Sequence, residues 1–126
     1  MSAPDRIEPA IERWLHALHA LGEPMFVQAA FAEGAVLERY GWDDDPRPKE
    51  VFQGHTAIAQ WLGRCPVGFR FAAGAAESRD GGHHVPYSVT LDDFRNQGRW
   101  RVILADDGRI QTLEHHPTPL PEPEIP

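Results

Sequence analysis

Apolar residues Ile7, Ile11, Trp14, Leu15, Leu18 and Leu21 recur at spacings of three and four near the N-terminus. That period puts them on one stripe of a helix, predicted over residues 5–21, opened by Pro4-Asp5 and stopped by Gly22. Glu23-Pro24 then opens a second helix, since proline suits a first helical turn. Phe26, Ala29, Ala30 and Phe31 form its buried side, and Gly34 is its predicted end. From Val36 to Gly41 the pattern reads as a short strand. Trp42-Asp43-Asp44-Asp45-Pro46-Arg47-Pro48 follows as a loop, because prolines cannot donate to a sheet ladder. Glu50–Gln53 reads as another short strand. Thr56 is the expected cap of a third helix, Ala57–Leu62, closed by Gly63 and Pro66.

Beyond Pro66 the texture turns to strands. The predicted order is Phe69–Ser78, His83–Arg95, Arg99–Ala105 and Arg109–His116. The intervening turns are Arg79-Asp80-Gly81-Gly82, Asn96-Gln97-Gly98 and Asp106-Asp107-Gly108. Pro86 marks its strand as an edge or a bulge. Consecutive strands joined by short turns form an antiparallel meander. Helices first and a bent sheet second define an α+β domain, taken here as residues 1–117. Residues 118–126 form a Pro-rich tail expected to be extended or disordered; five prolines occur among the ten residues from Pro117 to Pro126.

Two short runs carry a resemblance. Phe31-Ala32-Glu33-Gly34-Ala35-Val36, followed by Phe52-Gln53-Gly54 and Ala57-Ile58, resembles the pattern of the SnoaL-like or ketosteroid-isomerase-like group. That group belongs to the nuclear transport factor two superfamily. The resemblance covers most of residues 7–117 and implies a cone: a curved antiparallel sheet wrapped around three helices, enclosing a pocket at its open end. It also implies a homodimer. Because one such fold hosts many activities, function has to be argued from the site.

The resemblance places the isomerases' general base on the first strand, at Arg39. Alternation puts Leu37 and Arg39 on one face and Glu38 and Tyr40 on the other. A guanidinium stays charged and cannot act as an ordinary base, but it can hold an anion or oxyanion. The family's oxyanion tyrosine falls at Trp14 and its oxyanion aspartate near Trp100, so a true ketosteroid isomerase is not expected. In epoxide hydrolases and SnoaL-type cyclases an acid-base aspartate lies about seven positions past the last turn glycine. Counting from Gly108, that position is His115, an imidazole suited to proton transfer near neutral pH. The candidate catalytic pair is therefore His115 and Arg39. Trp14, Leu37, Trp42, His55, Trp61, Tyr87, Trp100, Val102 and Leu113 are the candidate substrate-binding residues.

Charge and composition narrow the classes. The net charge of −7, with dispersed Lys and Arg, argues against nucleic acid. No apolar run has the length of a membrane span, and the charged N-terminus lacks the core of a signal peptide. The single cysteine, Cys65, has no internal disulfide partner, which fits the cytoplasm and a partly buried thiol. His83-His84 and His115-His116 split across the two faces of their strands and lack a carboxylate at fixed spacing, so no metal is expected. His16 and His19 lie on the first helix and need no role beyond packing or exposure. The expectation is a cofactor-independent acid-base enzyme acting on a small hydrophobic molecule, one that can carry an anionic group: an isomerase, cyclase, dehydratase or epoxide-opening enzyme. The alternative is a non-catalytic ligand-binding or protein-interaction module of the same fold.

Overall fold

The computed structural model describes residues 4–41, 45–65, 67–79 and 81–118. Trp42 and the tail from residue 119 lie outside them, as do Pro66 and Asp80. The chain runs α1 (Pro4–His19), α2 (Pro24–Ala30), β1 (Phe31–Arg39), β2 (Glu50–Gln53) and α3 (Gly54–Gly63). Then come β3 (Arg70–Ala73), β4 (Glu77–Arg79), β5 (Gly82–Leu91), β6 (Phe94–Leu104) and β7 (Ile110–Thr118). Three helices pack on one curved, unclosed sheet of order β2-β1-β7-β6-β5-β3, with β4 also on β5. This is the expected α+β cone.

The N-terminal stripe does what its spacing predicts. Ile7, Ile11, Trp14 and Leu18 are buried against Phe31, Leu37, Val85, Trp100, Val102, Ile110 and Leu113 from the sheet. Gly22 is required by crowding as well as by its φ of +78°: a Cβ there would run into the Ala59 carbonyl and lie 2.8 Å from the Leu62 Cβ.

Four boundaries differ from expectation. The second helix ends at Ala30, and β1 begins at Phe31 without a linker. Gly34, read as a helix stop, lies within β1 at φ +75°, where the β1–β7 register shifts between Phe31 and Val36. Helix α3 starts at Gly54, with Gln53 as its N-cap residue and no side-chain cap, so Thr56 is helical rather than a cap. Gly54, at φ +87°, turns β2 straight into the helix. The predicted strand 69–78 is two strands interrupted by Gly74-Ala75-Ala76. Finally, Asn96-Gln97-Gly98 is not a turn. The hairpin closes at Asp92-Asp93, with Leu91 opposite Phe94 and Asp92 at φ 52°. Asp tolerates that left-handed conformation better than most residues.

Candidate functional site

The strand pairing creates the site. Arg39 is paired with Glu50 of β2 on one side and with His115 of β7 on the other. His115 is paired in turn with Trp100 of β6. Directly opposed residues share a sheet face. One transverse row therefore runs carboxylate, guanidinium, imidazole and indole across four strands. Arg39 donates through Nε to Glu50 Oε1 at 2.6 Å. Both side chains keep contact with solvent, at 33% and 41% exposure, so the pair adds little stability in itself.

His115 is held from both ring nitrogens. Trp100 Nε1 donates to its Nδ1 at 3.1 Å, and its Nε2 lies 3.1 Å from Tyr87 Oη. An indole N–H can only donate, so Nδ1 must be the accepting nitrogen. The neutral imidazole then carries its proton on Nε2 and gives it to the Tyr87 oxygen. Part of the residue remains accessible, but the ring is enclosed by stacking on Tyr87 at 5.2 Å and by the edge contact with Trp61 at 6.1 Å. Burial first, then the positive charges of His116 and Arg39, lower its pKa from 6.5 to about 4. Protonating Nδ1 would also set two donors against each other. Burial likewise pushes the Tyr87 phenol upward, so it remains a hydroxyl.

Gly98 makes this arrangement possible. It lies opposite Tyr87, and a Cβ at that point would come within 2.7 Å of Tyr87 Oη and collide with the His116 carbonyl. Tyr87 thus lies across a bare stretch of β6, stacked on Trp100 at 4.5 Å.

The other predicted residues fall in three places. Trp14, Leu37, Trp100, Val102 and Leu113 have no exposed surface and belong to the core. Trp14 meets Phe31 and Trp100 edge-on at 5.5 and 5.6 Å, and its indole N–H has no partner among the described residues. Trp61 stacks on Phe52 at 5.5 Å and lines an open surface depression of about 300 Å³ with Glu50, Arg64 and Cys65. His55 lies elsewhere. Its Nε2 is 2.8 Å from the Phe31 carbonyl, in a depression of about 290 Å³ between α2 and α3. Trp42 lies outside the described residues.

Glu50 was missed in the sequence. Its signal is its pairing with Arg39, which only the register across the intervening loop reveals. The opposite face of the sheet carries a separate network. Tyr40 Oη donates to Glu38, Arg101 and His116 both bond Glu114, and Tyr40 stacks on His116 at 4.2 Å. Leu37 and Arg39 thus do face away from Glu38 and Tyr40. Among the described residues no group of three His, Cys, Asp or Glu could hold a metal, and no helix is long and apolar enough to cross a membrane.

Comparison with solved structures agrees with this architecture. A candidate ketosteroid isomerase from Kribbella flavida superposes with a TM-score of 0.73 at 16% identity, over 97% of this chain and 84% of that one. A candidate isomerase of the SnoaL-like family from Agrobacterium tumefaciens gives 0.69 at 18% identity, over 90% and 97%. An NTF2-like protein of unknown function from Burkholderia xenovorans gives 0.72 at 12%, over 95% and 88%. No family model and no curated protein matches the chain. The fold is that of the nuclear transport factor two, ketosteroid-isomerase-like and SnoaL-like proteins. At these identities the likeness establishes the fold alone.

Proposed function

We propose that the protein is a cofactor-independent enzyme that stabilises an oxyanion, such as an enolate, on a small apolar carbonyl compound, in an isomerisation-type reaction. The observation that carries this reading is the hydrogen-bonded chain Trp100–His115–Tyr87 beside Arg39. Trp100 fixes His115 as a donor, and His115 donates to Tyr87. The Tyr87 hydroxyl has no other partner among the described residues, so its proton is left for a ligand oxygen. Donors preorganised in a low-dielectric setting are worth far more to a developing negative charge than water is. His115 acts in this reading as a neutral donor rather than a base, with Arg39 supplying positive charge. Cytoplasmic location and a homodimer belong to the same proposal, the first following from the lone thiol and the second from the fold's resemblance.

The test is proton exchange. A panel of small cyclic enones and 1,3-dicarbonyl compounds is incubated in deuterated buffer and followed by NMR. The wild type should accelerate exchange for at least one of them. Tyr87→Phe and His115→Leu should each slow it by about 10- to 1000-fold without unfolding. Rates equal to wild type in both variants would refute the reading. A second reading, a non-catalytic ligand-binding module, is favoured by the interior filled with Trp14, Phe71, Tyr87 and Trp100 rings. Saturable binding of panel members without exchange would select it.

A further inference from the structure

The row presents donors almost throughout. Trp100 and Arg39 only donate, and the accepting atoms of His115 and Tyr87 are taken up within the chain, by Trp100 and by His115, so toward a ligand these four groups offer protons rather than take them. An enolisation also needs a group that takes a proton from carbon, and none of these four can do so. Glu50 can. We propose that Glu50 is the proton-transferring base of this site, acting on a ligand in the depression between β2 and the end of α3. The inference rests on the enzymatic reading above and names the residue that reading lacks.

Three observations place the carboxylate for the task. Glu50 opens β2 directly opposite Arg39, at the end of the row. Arg39 Nε fixes Oε1 at 2.6 Å, while Oε2 has no hydrogen-bond partner among the described residues. The carboxylate is thus oriented but keeps one oxygen for a ligand. Glu50 also lines the open depression of about 300 Å³ shared with Trp61, Arg64 and Cys65, which leaves its carboxylate accessible to a small ligand. Trp61 is common to the depression and to His115, which its indole meets edge-on at 6.1 Å. A planar ligand lying along Trp61 meets the Glu50 carboxylate, with the Trp61 ring between it and His115.

The competing groups at the depression fail chemically. Burial pushes the Cys65 thiol up, and it leans on the Trp61 carbonyl at 3.9 Å. Arg64 is a cation. The nearby Asp45 is engaged by Arg47.

In the step itself, Glu50 Oε2 takes a proton from the carbon next to the ligand carbonyl. The C–H electron pair moves into the carbon framework and the negative charge arrives on oxygen, where the donors meet it. The Glu50 acid then returns the proton to a different carbon, or exchanges it with solvent. Atoms and electrons balance without an oxidant, a reductant or a co-reactant.

The experiment uses the same panel and deuterated buffer with the full chain. Glu50→Gln should lower kcat by about 100-fold or more, with KM changed only a few-fold. Added formate should restore part of the rate to Glu50→Ala, which a merely structural carboxylate would not allow. If Glu50→Gln fails to fold for want of its Arg39 partner, the double variant Glu50→Gln/Arg39→Gln removes both charges. Comparing it with Arg39→Gln alone then carries the test. Wild-type exchange that persists undiminished in Glu50→Gln overturns the base assignment and leaves the oxyanion reading standing. Wild-type protein that exchanges no panel member overturns both.

Discussion

Acidification should destabilise this protein through His115, and the size of the effect follows from the site. In the unfolded chain the imidazole titrates near 6.5; in the fold, burial and the neighbouring His116 and Arg39 charges bring it to about 4. The native state therefore stays neutral at His115 while the unfolded state takes up a proton. Between the two values the unfolded state binds more protons, so stability falls as pH falls. The contribution is fully present above about 6.5, is lost progressively toward about 4, and changes no further below that. At about 1.4 kcal/mol per pH unit, the gap comes to about 3 kcal/mol, a large share of an ordinary domain's stability.

The perturbation is His115→Gln, whose amide can still accept from Trp100 and donate to Tyr87 but does not titrate. Urea unfolding of both proteins at about pH 7 and about pH 4.5 gives the difference that matters. The wild type should lose about 2.5 kcal/mol more than the variant on acidification. His19 and His83, also lowered by burial, contribute with the same sign to both proteins and cancel. Equal acid losses in the two proteins, or a native His115 resonance titrating near its ordinary value, would show that the ring is not enclosed as described.

Gly98→Ala should cost about 2 kcal/mol in thermal or urea unfolding, because a Cβ there meets Tyr87 Oη at 2.7 Å and a main-chain carbonyl that cannot yield. The same variant should break the Tyr87–His115 contact, visible as a changed His115 ring signal. Trp100→Phe keeps an aromatic ring but leaves Nδ1 of His115 without its donor, at a cost of about 1–3 kcal/mol. Nitrogen NMR of the imidazole should then show loss of the single Nε2–H tautomer; its persistence would mean that Trp100 does not set it.

The helices were legible because their signal is local. The apolar stripe from Ile7 to Leu18 is buried as its spacing requires, and the glycine after it turns where expected. Alternation likewise put Leu37 and Arg39 on one face of β1 without any knowledge of the partners. The resemblance, rather than any local pattern, singled out Arg39 and His115, and the register sets them side by side. What local pattern cannot supply is that register. Glu50 lies opposite Arg39 only because the intervening loop closes where it does, and no periodicity within either strand encodes it.

Gly98 shows why the rest was hidden. A glycine after Asn and Gln reads as a turn, on the assumption that its freedom in φ is what the chain needs. Here φ is not left-handed, and the residue lies inside β6. What the fold uses is the missing Cβ, which clears room for Tyr87. The two meanings of glycine give different registers. A turn at 96–98 would pair Trp100 with residues just before it, far from Val85, its observed partner, and would separate the indole from Tyr87. With the turn at Asp92-Asp93, Tyr87 covers Gly98, stacks on Trp100 and reaches His115. The donor chain is thus a consequence of one hairpin's register. It could not be read until the purpose of that glycine was known, because the same residue type serves backbone freedom in one setting and steric clearance in the other.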